Sequence, residues 1–371
     1  MRVLGLASYP VEAAATRYRL VQYVAPLRER GIELEVRPFL NSRLFASLYQ
    51  RAELPRNAVG LISAALRRFI DVAAAHRADA VLVQREAMMF GPPLIEYLAT
   101  KIGRCPLVLD LDDATYIAYE SPIYGRLGSA LKWFTKTDDL IRRAAVVTCG
   151  NRAICEYVEG KGVRGVLIPT VVDTELFRPA TRERENAPPV LGWVGTHSTF
   201  LYLESIFPVL QELAKSHRFR LKIVGAGREE VSVAGVEVEN LPWSLAREVA
   251  DFQSFDVGLY PVVASEWAAG KSGFKSVQYM AVGVPFVASP VGATTEIGEA
   301  NVTHLLATSG EQWRAALARL LDDAPLRRRM GAAGRAHALA HYAVPAQADK
   351  LARALREAVG DGRDAGTEKT R

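Results

Sequence analysis

The chain alternates short apolar runs with amphipathic stretches, and it does so in two series. In the first, Val3 to Ala7 is a buried run, and the loop Ser8 to Thr16 follows it. A helical stretch then carries Tyr18, Leu20, Val21, Tyr23, Val24 and Leu27, Gly31 ends it, and Leu34-Glu35-Val36 opens the next strand. A strand apolar on both faces, followed by a helix and another strand, is the β-α-β unit of a parallel sheet. Ala80 to Val83, Pro106 to Leu109 and Ala144 to Gly150 continue this series. The second contains Val190 to Val194, Phe219 to Val224, Val236 to Val238, Val257 to Pro261 and Phe286 to Ala288. Between the two series, Pro179 to Pro189 is polar, charged and bounded by prolines, the composition of a linker. With 371 residues there is room for two domains, each with its own core. The expected fold class is therefore α/β, with two doubly wound, Rossmann-like domains.

Composition narrows the partners. The net charge of +5 suits an anionic ligand or surface without choosing among them. No basic stripe interleaved with aromatics points to nucleic acid. Cys105, Cys149 and Cys155 lack metal-ligand spacing, and an odd count with no secretory signal implies reduced thiols in the cytoplasm. His337 and His341 stand at HxxxH spacing, but Ala338 occupies the place where a zinc-protease helix needs Glu. No apolar run reaches the roughly 20 residues of a membrane-spanning helix. Two segments read as basic amphipathic faces that either pack on the sheets or lie on an anionic membrane. One has Leu44, Phe45, Leu48 and Tyr49 beside Arg43 and Arg51, then Leu66, Phe69 and Ile70 beside Arg67 and Arg68. The other has Leu127, Leu131 and Phe134 with Arg126, Lys132 and Lys136.

Chemistry in an open α/β sheet gathers where strands end. In the first series those ends carry Arg17 and Arg19, then Arg85 and Glu86, then Asp110-Leu111-Asp112-Asp113. The arginines can reach a phosphate or solvate a helical turn. The aspartates can grip a hard cation as a DxD, orient an acceptor hydroxyl or take its proton, or cap a helix. In the second series the ends are Gly195-Thr196-His197-Ser198-Thr199, Gly225-Ala226-Gly227 and Leu241-Pro242-Trp243. The glycine pair is not a dinucleotide fingerprint, because Glu230 stands where the third glycine is needed. Gly270-Lys271-Ser272-Gly273-Phe274-Lys275 then leads into a short helix, a Gly283-Val284-Pro285 break and a buried strand. Such a loop offers backbone N–H groups and two lysines to a phosphate.

The run from Lys275 to Ala288, KSVQYMAVGVPFVA, resembles the donor-site signature of family 4 retaining glycosyltransferases, which have the GT-B fold. The segment Ser289-Pro290-Val291-Gly292, Glu296 and the helical end Asp322 to Arg335 are similar to the family too. So is Ile168-Pro169-Thr170-Val171-Val172-Asp173 with Phe177 and Pro179, although Thr170-Val171 replaces Asn-Gly. The resemblance implies two Rossmann-like domains facing across a cleft. They would be an acceptor-side domain 1–178, a linker 179–189, a donor domain 190–344, a helix 345–359 returning to the first domain, and a disordered tail 360–371. It implies transfer of a sugar from a nucleotide diphosphate to a saccharide or lipid-linked acceptor, with retention and without a metal or other cofactor. The enzyme would work in the cytoplasm, with peripheral contact to the inner membrane face. Donor contacts fall on Gly195, His197, Ser198, Gly225, Trp243, Lys271, Gly273, Lys275 and Gln278, with Trp243 against the base. Catalysis falls on Lys275, Asp112 and Asp113, and acceptor or phosphate contacts on Arg17, Arg19, Arg85 and Glu86. The family's Glu-x7-Glu pair is absent: Gly270 and Gln278 stand in its places. Three other readings stay open: a nucleotide-sugar epimerase of the same fold, a non-catalytic binding protein, and a metal-dependent GT-A enzyme using Asp110 and Asp112.

Overall fold

The computed structural model describes residues 1–48, 50, 53–118, 130–181 and 186–367, with side chains as far as residue 360. The chain forms two compact units, 1–170 with 344–371 and 171–343. Each is built on a six-stranded parallel sheet.

In the first unit the strands are β1 (Arg2–Ala7), β2 (Glu33–Pro38), β3 (Ala80–Gln84), β4 (Leu107–Leu111), β5 (Val146–Cys149) and β6 (Gly165–Leu167). Their order is β2-β1-β3-β4-β5-β6, so the strand order reverses direction between β1 and β3. The expected first helix is broken. It becomes α1 (Ala14–Arg19), a 3-10 turn at Val21–Tyr23 and α2 (Val24–Glu29). Pro26 is the cause: it has no N–H to give Gln22, and it fits only in the first turn of a restarted helix. The irregular stretch after β2 resolves into α3 (Ser42–Ser47), capped by the Asn41 side chain, and the long α4 (Leu54–Ala74). Then come α5 (Leu94–Gly103), α6 (Lys136–Arg143) and α7 (Arg152–Glu159). Arg68 of α4 is buried and ties the helix to the sheet by donating to the carbonyl oxygens of Ala7, Arg37 and Ala87.

The second unit has β7 (Val190–Val194), β8 (Arg220–Val224), β9 (Glu237–Leu241), β10 (Val257–Tyr260), β11 (Phe286–Ala288) and β12 (Leu305–Leu306). The order β12-β11-β10-β7-β8-β9 is the 3-2-1-4-5-6 arrangement of dinucleotide-binding sheets, with its switch point between β7 and β10. Its helices are α8 (Phe200–Glu204), α9 (Phe207–Ala214), α10 (Glu248–Gln253), α11 (Glu266–Ala269), α12 (Phe274–Ala281), α13 (Gly310–Asp322) and α14 (Ala324–His341). Pro208 does not kink a continuous helix. The helix stops at Glu204, and Pro208 sits in the first turn of α9, where no N–H is needed.

The two faces of this sheet differ at the switch point. Leu191, Trp193, Val257, Leu259 and Val287 belong to one hydrophobic core. On the other face Gly192 and Gly258 are register partners, and the rings of Phe255 and Tyr279 lie over them. The Tyr279 hydroxyl is 3.1 Å from the carbonyl oxygens of both Gly192 and Leu259. It thus laces α12 to β7 and β10. His337 and His341 stand side by side on α14 with ring centroids 4.5 Å apart. Among the described residues no group of three or more His, Cys, Asp or Glu side chains is placed to hold a metal ion.

The last helix, α15 (Val344–Thr367), belongs to the first unit and packs on α2 and β5. It runs past the expected end at Val359 into the segment read as a disordered tail. No proline follows Pro345, and each isolated glycine there costs only about 1 kcal/mol of helix. The boundary between units falls at Thr170, ahead of the expected linker at 179–189, of which 182–185 lie outside the described residues. Arg335 explains this, since its guanidinium donates to the carbonyl oxygens of Thr174, Phe177 and Ala281 and so holds 171–179 to the second unit.

A methyl group on Gly192 would lie 2.0 Å from the Phe255 ring. Gly192→Ala is therefore expected to overpack the switch point and cost about 1–3 kcal/mol, read as a lower urea midpoint with an unchanged slope.

Candidate functional site

In the first unit the polar residues at the strand ends form two ion-paired groups. Gln84, Asp110 and Thr148 are partners across β3, β4 and β5. Arg19 reaches into this row from α1: Nε donates to Asp110 Oδ2 at 2.9 Å and Nη1 to the Ile168 carbonyl at 2.6 Å. Thr148 donates to Asp110 Oδ1. Arg19 is only 2% exposed, so it does not reach a phosphate as expected. It is a structural pin, because its donors are spent on Asp110 and the chain after β6. Arg17 folds back too, donating to the carbonyl oxygens of Val11 and Glu12 at 3.0 Å each.

Arg85 follows β3 at the switch point, with a left-handed backbone (φ 61). A non-glycine residue there stores strain, and strain of this kind concentrates at functional positions. Its guanidinium grips both oxygens of Asp112, at 2.6 and 2.8 Å, and also Asp113 at 2.7 Å. Gln84 adds a bond to Asp112 Oδ1. Burial pushes the Asp112 pKa up, but Arg85, with help from Arg19, outweighs it and holds the carboxyl below the usual range. Asp112 is thus clamped by Arg85, and a carboxylate held so firmly is a poor proton acceptor. The DxD reading fails on the same geometry, since Asp110 and Asp112 are each held by a guanidinium. Glu86 is buried between Lys136 at 2.7 Å and Lys132 at 3.3 Å. Lys136, buried as well, therefore does not belong to the exposed face drawn for it, of which Arg126 and Leu127 lie outside the described residues.

In the second unit three loops meet at the ends of β7, β8 and β9, and a fourth, after β10, approaches α8 through Lys271. Gly195 leaves β7 against the Trp193 ring and the Thr199 hydroxyl. Thr199 does not cap α8 in the usual way. Its Oγ1 accepts from the Thr196 N–H at 3.0 Å and so closes the loop on itself. His197 and Ser198 are exposed on that loop. Gly225, at φ +84, ends β8, where a side chain would strike the Gly195 carbonyl oxygen at 2.4 Å. Only glycine lets the two loops touch at that point. The half-buried Trp243 borders the same contact from the end of β9.

The fourth loop joins α11 to α12. Gly273 is the left-handed residue before α12, and it packs on Ile297 and Ala293. Lys271 Nζ lies 6.0 Å from the ring centre of Tyr202, on α8. Lys275 sits in the first turn of α12, over the Phe252 ring, and donates to Gln278 Oε1 at 2.8 Å. Gln278 is 0% exposed, and its Nε2 is 3.4 Å from Glu248 Oε1. Gln278 thus bridges Lys275 to a buried acid, and this leaves little of it for the donor contact expected of its position. Glu248 was not foreseen, because it lies outside the motif and meets Gln278 only through the packing of α10. Arg228 was also missed. It follows Gly227 directly, stands 4.9 Å over the Phe200 ring and pairs with Glu204, so α8 does have a cation at its side.

Two parallel-sheet Rossmann-like units, the second with its strand-end loops converging at the switch point, define the GT-B class. Residues 188–323, within the second unit, match the family described as Glycosyl transferases group 1. Whole-chain similarity to solved structures extends the fold to both units. HepE of Anabaena in complex with UDP-glucose is 17% identical, covering 96% of this chain and 99% of that one at a TM-score of 0.68. Sucrose-phosphate synthase of Thermosynechococcus elongatus is 14% identical, with 96% and 99% covered and a TM-score of 0.67. A glycosyltransferase of Rickettsia africae is 13% identical, with 96% and 98% covered and a TM-score of 0.68. A search of curated protein sequences gave no match.

Asp112→Asn removes one partner of a buried pair and is expected to cost about 3–5 kcal/mol at neutral pH. Because the folded pKa of Asp112 is depressed, its stabilisation is full above the unfolded value of about 3.9 and is lost as pH falls through the lower folded value. Urea midpoints of the two proteins should therefore converge as the pH is lowered below about 4.

Proposed function

We propose that the chain transfers a sugar from a nucleoside diphosphate sugar to an acceptor hydroxyl, with retention of configuration and without a metal ion. The observation that carries this is the contact of the Gly195, Gly225 and Trp243 loops, with Lys271 beside α8, in the unit whose residues 188–323 match the Glycosyl transferases group 1 model. Lys271, Lys275 and the N-terminal turn of α12 supply positive charge to the departing diphosphate. The bond from the sugar C1 to the phosphate oxygen breaks, and a bond from C1 to the acceptor oxygen forms on the same face. The acceptor proton passes to the leaving phosphate oxygen. This course needs no protein base, in keeping with Asp112 and Asp113 both being bound to Arg85. Trp243 lies where a nucleobase can stack, and uridine is the base to try first, because HepE carries UDP-glucose. The acceptor is a saccharide or lipid-linked saccharide of a surface polysaccharide or glycolipid, met in the cytoplasm at the inner face of the membrane.

The test is thermal stability with UDP, GDP, dTDP, ADP and CMP, each with and without EDTA. One diphosphate at about 100 times its Kd should add about 2.7 kcal/mol, unchanged by EDTA. A shift lost in EDTA would overturn the metal-free course. Turnover of the donor sugar without any acceptor would replace the transferase with an epimerase. In the folded protein, Lys275→Ala should lower kcat by about 10²–10³. Turnover within a few-fold of wild type would remove Lys275 from the mechanism.

A further inference from the structure

The short helix α10 is fixed at two points. At its start the Arg247 Nη2 group donates to the Pro242 carbonyl oxygen at 2.6 Å, and within it Asp251 pairs with Lys222 of β8 at 3.0 Å. The helix is thereby held to the loop that carries Trp243 and to the sheet. Glu248 and Phe252 lie one helical turn apart, so they share a face of α10. Both are buried, and both meet α12. The Phe252 ring centre lies 5.3 Å from Lys275 Nζ, and Glu248 Oε1 accepts from Gln278 Nε2 at 3.4 Å. Lys275 and Gln278 share a face of α12 in turn, with Nζ donating to Oε1 at 2.8 Å.

The chemistry of these groups allows one arrangement. An ammonium only donates, and a carboxylate only accepts. The amide between them must turn its oxygen to Lys275 and its NH2 to Glu248, and it does so. A glutamate at 278, the residue that the donor-site signature has there, would set two carboxylates face to face where Gln278 is fully buried. Like charges so close cannot both stay ionised. Glu248 therefore accounts for the glutamine: a carboxylate stands behind Lys275, but α10 supplies it and an amide carries its effect.

We infer that Glu248 is a positioning residue, which through the Gln278 amide fixes the Lys275 ammonium in the first turn of α12. Phe252, on the same face of α10, holds that ammonium from the side of its ring. Because α10 directly follows the Trp243 loop, one helix sets the spacing between the nucleobase contact and the diphosphate cation. The consequence for catalysis rests on the transferase reading, whereas the hold on Lys275 does not.

The experiment reads the full chain in two ways. The first is the rate at which acetic anhydride acetylates Lys275 without any nucleotide, followed by peptide mass spectrometry. Glu248→Gln lets the Gln278 amide turn over, and it should raise that rate at least about threefold. Gln278→Glu should lower the urea midpoint, and adding Glu248→Gln should restore it, because the amide and the carboxylate have then exchanged places. The second is turnover of donor sugars on the nucleotides of the thermal-stability test. Glu248→Gln should lower kcat about tenfold, leave the donor KM within about threefold, and add no loss to Lys275→Ala, because it acts through that ammonium. Unchanged circular dichroism in Glu248→Gln keeps folding out of the comparison. Unchanged labelling of Lys275 in Glu248→Gln, a Gln278→Glu protein as stable as wild type, or losses that add in the Lys275→Ala background would overturn the assignment. Labelling that responds as expected in a protein that turns over no donor sugar would end the transferase reading and keep the role of Glu248, so either proposal can fail alone.

Discussion

A parallel sheet leaves its chain with polar backbone groups just past the strand ends, where no further strand pairs with them. In this protein side chains take up those groups. Arg68 satisfies three carbonyl oxygens in the first unit, and Arg335 three in the second. Arg19 spends its charge on Asp110 and its remaining donor on the chain after β6. The Tyr279 hydroxyl does the same work between β7 and β10. An unsatisfied buried polar group costs about 1–3 kcal/mol, so these contacts fix where helices sit, and the helices in turn fix the loops. The unit boundary at Thr170 and the position of α4 both follow from this demand.

The same demand explains why the sequence told more about the fold than about the site. Strands apolar on both faces can only lie inside a parallel sheet, and their boundaries could be read directly. The motif around Lys275 pointed to the right kind of domain. What a sequence does not reveal is which cations are already committed. Arg17, Arg19 and Arg85 stood at strand ends and looked equally available, yet Arg19 is a pin and Arg85 a clamp on two aspartates. Pro26 stood unremarked inside one expected helix, and neither it nor Pro208 showed in the sequence as a first-turn residue of a restarted helix. Gln278 is the sharpest case, since the substitution was visible and its partner Glu248, thirty residues earlier, was not.

Strain and satisfaction meet at Arg85. Its left-handed backbone puts the guanidinium over Asp112 and Asp113 at the switch point of the first sheet. In the second sheet the corresponding point is built from glycines, with the rings of Phe255 and Tyr279 over the strands and Lys275 held by Gln278. One unit thus prepares a rigid, charge-paired edge, the other a set of close-packed loops with lysines near them.

The helix α15 has a bearing on how the molecule is made. Ala348, Leu351, Ala352, Leu355 and Ala358 are buried, in a helix that belongs to the first unit but follows the second in the chain. A ribosome adding about 5–20 residues per second takes roughly 10–35 s over the intervening segment 171–343. Through that interval the first unit waits with the apolar seat for α15 uncovered, and only the arrival of α15 closes it. Closure of the first unit thereby depends on synthesis of the second, because a chain that stops within 171–343 leaves the seat uncovered.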